Sequence, residues 1–291
     1  RINEHDNGIV YKQFVDLIGE IYTAEVHHVR HNVVILLDDE GNELIMPKDR
    51  QIPSDFYRKG DSVRGIIESV ELKGNKPSII LSRTSPKFLE KLFEQDIPEV
   101  FDGLISIKKV VRVPGEKAKV SVDSYDDRID PVGACVGMKG SRIHGIVREL
   151  GNENIDVINH TNNIQLLITR ALSPAKISSL KIDEDNKTVE AFMDPEQVSK
   201  AIGRGGFNIR LAGQLTGYEI DVYREGAEED VELTEFSDEI EEWVLDELKK
   251  AGLDTAKSVL EQDVEDLIKR TDLEEETILE IRKVLTAEFS D

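Results

Sequence analysis

The chain has a single cysteine, Cys135, in 291 residues. No disulfide can close within it, which is the usage of a reducing compartment, and the cytoplasm is the expected location. Cys135 sits in an apolar run without the His/Asp neighbourhood of a nucleophile, and it reads as buried filler. No apolar stretch approaches the roughly 20 residues that a bilayer-spanning helix needs, and the start carries no signal-peptide pattern, so no membrane association is expected. Catalytic patterns are missing as well. There is no Walker loop, no clustered carboxylate set with metal spacing and no Ser/His/Asp arrangement; neither an enzymatic activity nor a cofactor is expected. His27, His28 and His31 lack a cysteine or a fourth ligand at matching spacing, so they read as solvent-facing strand histidines.

Positive charge is scarce, but unevenly so. The 37 Lys and Arg face 59 Asp and Glu, for a net charge of −22. Residues 225–291 hold 24 of the acids and 7 of the bases, a net of −17, leaving −5 over the first 224 residues. A polyanion is an unsuitable partner for the acidic tail, whereas the rest of the chain can still present local basic patches.

What the chain does have is a repeated glycine turn. In Asp130–Gly151 an apolar helical run (131–136) leads into Gly137-Met138-Lys139-Gly140, and a second run (141–150) leads out. Ser141 is expected to cap the second helix. A helix, a tight G-x-x-G turn and a helix make the nucleic-acid clamp of a KH domain. Glycine lets a sugar-phosphate backbone approach closely, and the N–H groups at the following helix start face the phosphates. Lys139 and Arg142 would supply counter-charge, and Val136 and Ile143 an apolar floor for bases. The pattern recurs: Lys200-Ala-Ile-Gly-Arg-Gly-Gly-Phe-Asn-Ile209 repeats Ala134-Cys-Val-Gly-Met-Lys-Gly-Ser-Arg-Ile143. Ile155-Asp156-Val157 returns as Ile220-Asp221-Val222, at an offset of 66 residues for the turn and 65 for the strand.

The remaining segments fit around these units. Residues 1–19 read as a linker or the end of a preceding domain, with at most two helical turns over 11–18. Residues 20–84 read as five short strands (21–29, 33–37, 44–46, 63–72, 79–83), which suits an OB-fold β-barrel. Its candidate RNA contacts are Tyr22, His28, Arg30, His31, Phe56, Tyr57 and Lys73. A capped helix (85–94), a shorter one (97–101) and two strands (104–113, 118–123) precede the first turn. A helix (162–172) and a hairpin across the acidic 183–186 precede the second. Each module thus runs strand, strand, helix, GxxG, helix, strand, and the short join implies a fixed pair able to hold one RNA strand. Helices are expected at 234–251, 256–260, 264–269 and 274–289, with Lys249–Leu253 resembling a helix-hairpin-helix turn; with a net of −17 this region reads as a protein-binding module, or as an acidic tail that competes with RNA for the basic face.

Taken together, the barrel, Leu81-Ser-Arg-Thr84, Lys91-Leu-Phe93, Ile97-Pro-Glu-Val100, the run from Asp130 to Ile143, Ala171-Leu-Ser-Pro-Ala-Lys176 and Ala201-Ile-Gly-Arg-Gly-Gly206 resemble the NusA family of bacterial transcription termination/antitermination factors. The resemblance covers about residues 1–224. It implies a multidomain α+β chain: an OB barrel (20–84), two tandem prokaryotic-type (type II) KH domains (85–176 and 177–227) and an acidic helical domain (228–291). It implies a non-enzymatic elongation factor that binds nascent single-stranded RNA, RNA polymerase and other elongation or antitermination factors, and that modulates pausing, termination and antitermination. The implied RNA contacts are Val136, Gly137, Met138, Lys139, Gly140, Ser141, Arg142 and Ile143, with Ile202, Gly203, Arg204, Gly205, Gly206, Phe207, Asn208 and Arg210. The family's polymerase-binding N-terminal domain is not recognisable, and Gly205 stands where the family often has a polar side chain, which is expected to loosen the second turn. Other readings of the same modules are an RNA-processing or ribosome-associated RNA binder, a fragment of an RNase assembly, and a scaffold whose KH surfaces bind protein.

Overall fold

The computed structural model describes residues 2–225 and 230–289. Two compact units divide the chain, one of Arg1–Ala191 with Glu196–Val222, the other of Phe192–Pro195 with Tyr223–Asp291.

The first unit opens on a helix, α1 (Ile2–Val15), where the sequence suggested a linker. Its apolar residues do not recur at helical spacing. Tertiary packing decides the matter: Phe14 is fully buried among Ala24, Val26, Leu36 and Ile67, with its ring edge-to-face on Tyr22 at 5.3 Å. Five strands follow, β1 (Ile21–Arg30), β2 (Val33–Leu37), β3 (Glu43–Met46), β4 (Ser62–Lys73) and β5 (Lys76–Ser82), closing in the order β1-β2-β3-β5-β4. Inward-facing apolar positions alternate along β2 and β3, the signature of one buried face. The β1–β2 hairpin turns at His31 and Asn32, both with positive φ (49° and 65°), as a tight two-residue hairpin loop demands.

Next come α2 (Pro86–Asp96), capped by Ser85, and α3 (Pro98–Phe101). β6 (Ile105–Val113) and β7 (Lys117–Ser124) pair antiparallel, and β8 (Asn154–Asn159) runs parallel to β7. The helices α4 (Pro131–Val136) and α5 (Ile143–Glu149) make that crossover. One core joins α2, the sheet, Cys135, Ile143 and Ile146. Two buried arginines lock this module to the barrel. Arg83 donates to Asp55 Oδ2 (2.7 Å), Arg64 O (2.6 Å), Glu149 Oε1 (2.9 Å) and Glu149 O (2.6 Å). Arg112 forks onto both oxygens of Glu153 at 2.9 Å and also donates to the carbonyls of Arg83 and Ser85.

The second module contains α6 (Ile164–Ala171), β9 (Ser179–Asp183), β10 (Thr188–Met193), α7 (Pro195–Ile202), α8 (Phe207–Thr216) and β11 (Glu219–Arg224), with strand order β11-β10-β9. The acidic stretch between β9 and β10 is a turn: Asp183 Oδ1 accepts from the amides of Asp185 and Asn186. Helix α8 packs on α6 and also on β6 and β7 of the first module, where Lys109 Nζ donates to Gln214 O at 2.6 Å. Lys119, fully buried, reaches Asp156 (2.8 Å) and Ser173 O (3.1 Å) in the join between the modules.

The second unit is helical: a 3-10 turn at Leu233–Phe236, then α9 (Glu242–Lys250), α10 (Ala256–Leu260), α11 (Val264–Arg270) and α12 (Glu275–Glu288). The single helix expected over 234–251 is broken at Glu241, which is extended (φ −60°, ψ 138°); Phe236, Ile240 and Val244 all lie in the core. Gly252 (φ 80°) turns α9 towards α10. The expected boundary at 227/228 lies outside the described residues.

Candidate nucleic-acid interface

The two GxxG turns have one backbone. Gly137, Lys139 and Gly140 have φ of 75°, 52° and 75°; Gly203, Gly205 and Gly206 have 74°, 61° and 72°. The first glycine of each turn is required sterically. A Cβ on Gly137 would lie 2.9 Å from Arg142 Cγ, and one on Gly203 would lie 2.7 Å from Asn208 Cβ. Gly205 therefore occupies a left-handed position that Lys139 holds as a non-glycine residue. Its role is conformational, and the second turn is no looser in geometry than the first.

The tips face solvent. Met138 is 84% exposed, and Lys139, Ser141, Arg204 and Gly205 are exposed with it. Ser141 caps nothing: helix α5 starts two residues later, with Arg142 as its N-cap and no side-chain cap bond. The amides of Gly140, Ser141 and Arg142 donate within the turn, to Gly137 O, Met138 O and Val136 O, so these are not open to a ligand. Ile143 is buried in the module core, with Val136 half-buried against it; Ile143 forms no floor for a base. Ile202, by contrast, is 39% exposed.

Two candidates turn inward. Arg142 Nη1 binds Glu99 Oε2 at 2.6 Å and Ala134 O at 2.8 Å. Asn208, 1% exposed, donates through Nδ2 to Leu172 O, Lys200 O and Ala201 O. Phe207 is half-buried, and exposed Arg210 lies over its ring, 5.4 Å from the centroid. The free cations at the turns are thus Lys139, Arg204 and Arg210.

The seven barrel candidates do not converge. Tyr22 is tied to Asp38 Oδ2 (2.7 Å) and Tyr57 to Asp55 Oδ2 (2.8 Å); burial first, with those carboxylates, pushes both hydroxyls above the usual phenol range. His28, Arg30 and His31 are exposed at the β1–β2 end. Exposed Lys73 sits at the β4–β5 hairpin, at the other end of the barrel, since β4 runs antiparallel to β1 with Glu25 opposite Ser62 and Ile21 opposite Ile66. Phe56 is 78% exposed, beside Arg58 at 5.3 Å. It borders a cleft of about 490 Å³ whose charged lining is Asp55, Asp61, Arg64, Arg83 and Glu149. Sequence reasoning missed Glu99, the partner of Arg142, because spacing along the chain carries no sign of a contact 43 residues away.

A NusA-like first KH domain matches residues 83–160, and a NusA-like second KH domain matches residues 164–230. Three curated relatives are each named transcription termination/antitermination protein NusA. That of Halalkalibacterium halodurans is 38% identical, covering 81% of this chain and 61% of its own length. That of Thermus thermophilus is 34% identical, covering 81% and 64%, and that of Rickettsia conorii is 34% identical, covering 97% and 58%. The chain spans about three fifths of the length of these relatives. Identity carried along most of the chain, with both modules matched in order, makes this chain a member of the NusA family.

Proposed function

We propose that the chain binds single-stranded RNA across its two GxxG turns and acts in transcription termination and antitermination, the process for which its relatives are named. The observation that carries this reading is the shared turn backbone, with positive φ at matching residues and exposed Lys139 and Arg204 at the tips. RNA phosphates pass the turns, where no side chain stands at Gly137, Gly203 or Gly206. Exposed Met138 and Ile202, with Phe207, offer apolar surface to bases. Packing of α8 on β6 and β7 fixes one turn relative to the other, so the second contact forms at high effective concentration. Helix α6 packs both on α8 of the second module and on β8 of the first, and is read as the element that joins them.

The five-stranded barrel is read as an OB fold that extends the RNA path. Exposed His28, Arg30 and Phe56 are its most available contacts, whereas Tyr22 and Tyr57 serve its structure. The acidic helical unit is read as a module for a protein partner, and RNA polymerase and other elongation factors are the partners of the assembly. The test is a Lys139→Asp, Arg204→Asp double variant. Both tips then repel phosphates, and affinity for a mixed-sequence single-stranded RNA should fall by about two orders of magnitude at moderate salt. Unchanged affinity in a variant with the parent's circular dichroism would refute the clamp reading.

A further inference from the structure

Four residues beyond the last glycine of each turn stands a basic side chain: His144 after Gly140 and Arg210 after Gly206. The two correspond under the 66-residue offset that relates the turns. The imidazole of His144 lies directly against the turn. A Cβ built on Gly140 would be 2.9 Å from His144 Nε2 and 3.0 Å from Cε1. The ring therefore covers the glycine whose φ of 75° shapes the turn, while the residue remains solvent-exposed. Its ring nitrogens make no hydrogen bond or ion pair among the described residues. Arg210 is likewise exposed, but its guanidinium stacks over Phe207 and leaves Gly206 uncovered, with nothing within 4 Å of a Cβ built there.

The first turn is short of cations for a phosphate. Arg142 is spent on Glu99 and Ala134 O, which leaves Lys139. A protonated imidazole beside Gly140 would supply the second positive charge that Arg210 supplies permanently to the second turn. We propose that His144 is a phosphate contact of the first turn and that its protonation strengthens RNA binding there as the pH falls. Arg210 keeps the second turn indifferent to pH. This inference rests on the reading of the turns as RNA clamps.

The charged groups near His144 are engaged elsewhere. Lys139 is the exposed cation of the same turn, and Glu149 at the end of α5 is held by Arg64 and Arg83. On the helix of His144 lie Arg142, paired with Glu99 of α3, and Arg148, whose Nε donates to His144 O. The charges of α2, which packs on α5, are engaged with one another and with Glu20: Lys87 with Glu90, and Lys91 with Glu94 and Glu20. Asp156 on β8 is held by Lys117 and Lys119. No carboxylate among the described residues pairs with the imidazole.

The experiment uses a parent chain carrying His28→Gln and His31→Gln, which removes the exposed imidazoles among the barrel's candidate RNA contacts, and measures affinity for a mixed-sequence single-stranded RNA against salt at about pH 5.5 and about pH 8, which bracket imidazole titration. One phosphate contact contributes about 0.7 to the slope of log K against log salt on a single strand. The parent chain should show a slope steeper by about 0.7 at the lower pH. His144→Gln should abolish that difference and keep the shallow slope; His144→Arg should give the steep slope at both pH values. Arg210→His should add a second pH-dependent increment of similar size. The inference is overturned if His144→Gln retains the parent's pH-dependent slope, or if His144→Arg remains as pH-dependent as the parent. Failure of the clamp reading looks different: the Lys139→Asp, Arg204→Asp variant would then bind like the parent at both pH values.

Discussion

Arg142 and Asn208 do one job with different chemistry. Each stands five residues after the first glycine of its turn, and each donates to the carbonyl eight residues upstream: Arg142 to Ala134 O at 2.8 Å, Asn208 to Lys200 O at 3.2 Å. Both tie the start of the outgoing helix to the incoming one, and so fix the turn between them. The difference lies in burial. Arg142 is half-exposed and completes its bonding with Glu99, whereas Asn208 is buried and satisfies three carbonyls with one amide group, its Oδ1 accepting nothing among the described residues.

Removing each clamp should therefore cost unequal amounts. Asn208→Ala leaves the buried carbonyls of Leu172 and Ala201, and the part-buried one of Lys200, short of a donor and should destabilise the fold by about 2–3 kcal/mol. Arg142→Met leaves a half-exposed Glu99 that water can reach, and should cost only about 1 kcal/mol. Thermal unfolding of the two variants beside the parent checks the order. Equal shifts would show that the two clamps are not specialised as their burial indicates.

The tip residues make a second pair. Gly205 has φ 61°, and a Cβ there would lie 3.1 Å from the Phe207 ring. Gly205→Ala should destabilise by about 1 kcal/mol, because the left-handed region disfavours a side chain and the ring must shift. Lys139 already occupies that region at φ 52°. Lys139→Gly should stabilise by up to about 1 kcal/mol while lowering the salt slope of RNA binding by about 0.7. Opposite signs in stability, with weaker RNA binding for the lysine variant, are the expected readout from unfolding curves and binding isotherms.

Most of the barrel and both helix-turn-helix crossovers were legible in the sequence, because alternation in 21–29 and 63–72, the apolar run 33–37 and the glycine spacing are local signals. What escaped was set by tertiary contacts. Helix α1 forms because Phe14 fills the barrel core. The helix expected over 234–251 breaks at Glu241, where the backbone is extended, and the residues before it form a 3-10 turn instead. At the site, the exposed tips were legible and the inward-turned Arg142 and Asn208 were not, since a polar residue beside a turn looks the same whether it meets water or a carbonyl. The repeat did hold the missing signal for His144, in its correspondence with Arg210.

Cys135 gives a pH-dependent test of the first module. Burial first, with the nearby Glu99 carboxylate, pushes its thiol up to about 12. The neutral thiol is thus favoured in the folded state, so this group's stabilisation is complete below the ordinary thiol range, near 8.5, and is lost as the pH rises towards 12. Native protein at about pH 8 should not react with a thiol-specific disulfide reagent, whereas denatured protein should react fully. Rapid labelling of the native chain would show that the incoming helix opens readily.

The Arg112–Glu153 pair lies within the first module and reaches the end of the barrel through the carbonyls of Arg83 and Ser85. The side chains are 1% and 0% exposed, and Glu153 Oε1 also accepts from Gly115 N–H at 2.7 Å. Glu153→Gln keeps the shape but strands the guanidinium charge in the interior, and should cost about 3–5 kcal/mol. A paired replacement of Arg112 and Glu153 by Met and Leu removes both charges and should cost less than the single change, although the carbonyls of Arg83 and Ser85 then lose a donor. Denaturant unfolding of the single and paired variants separates these contributions. A single variant as stable as the parent would mean that water reaches Arg112, contrary to its burial against the Arg83 and Ser85 carbonyls.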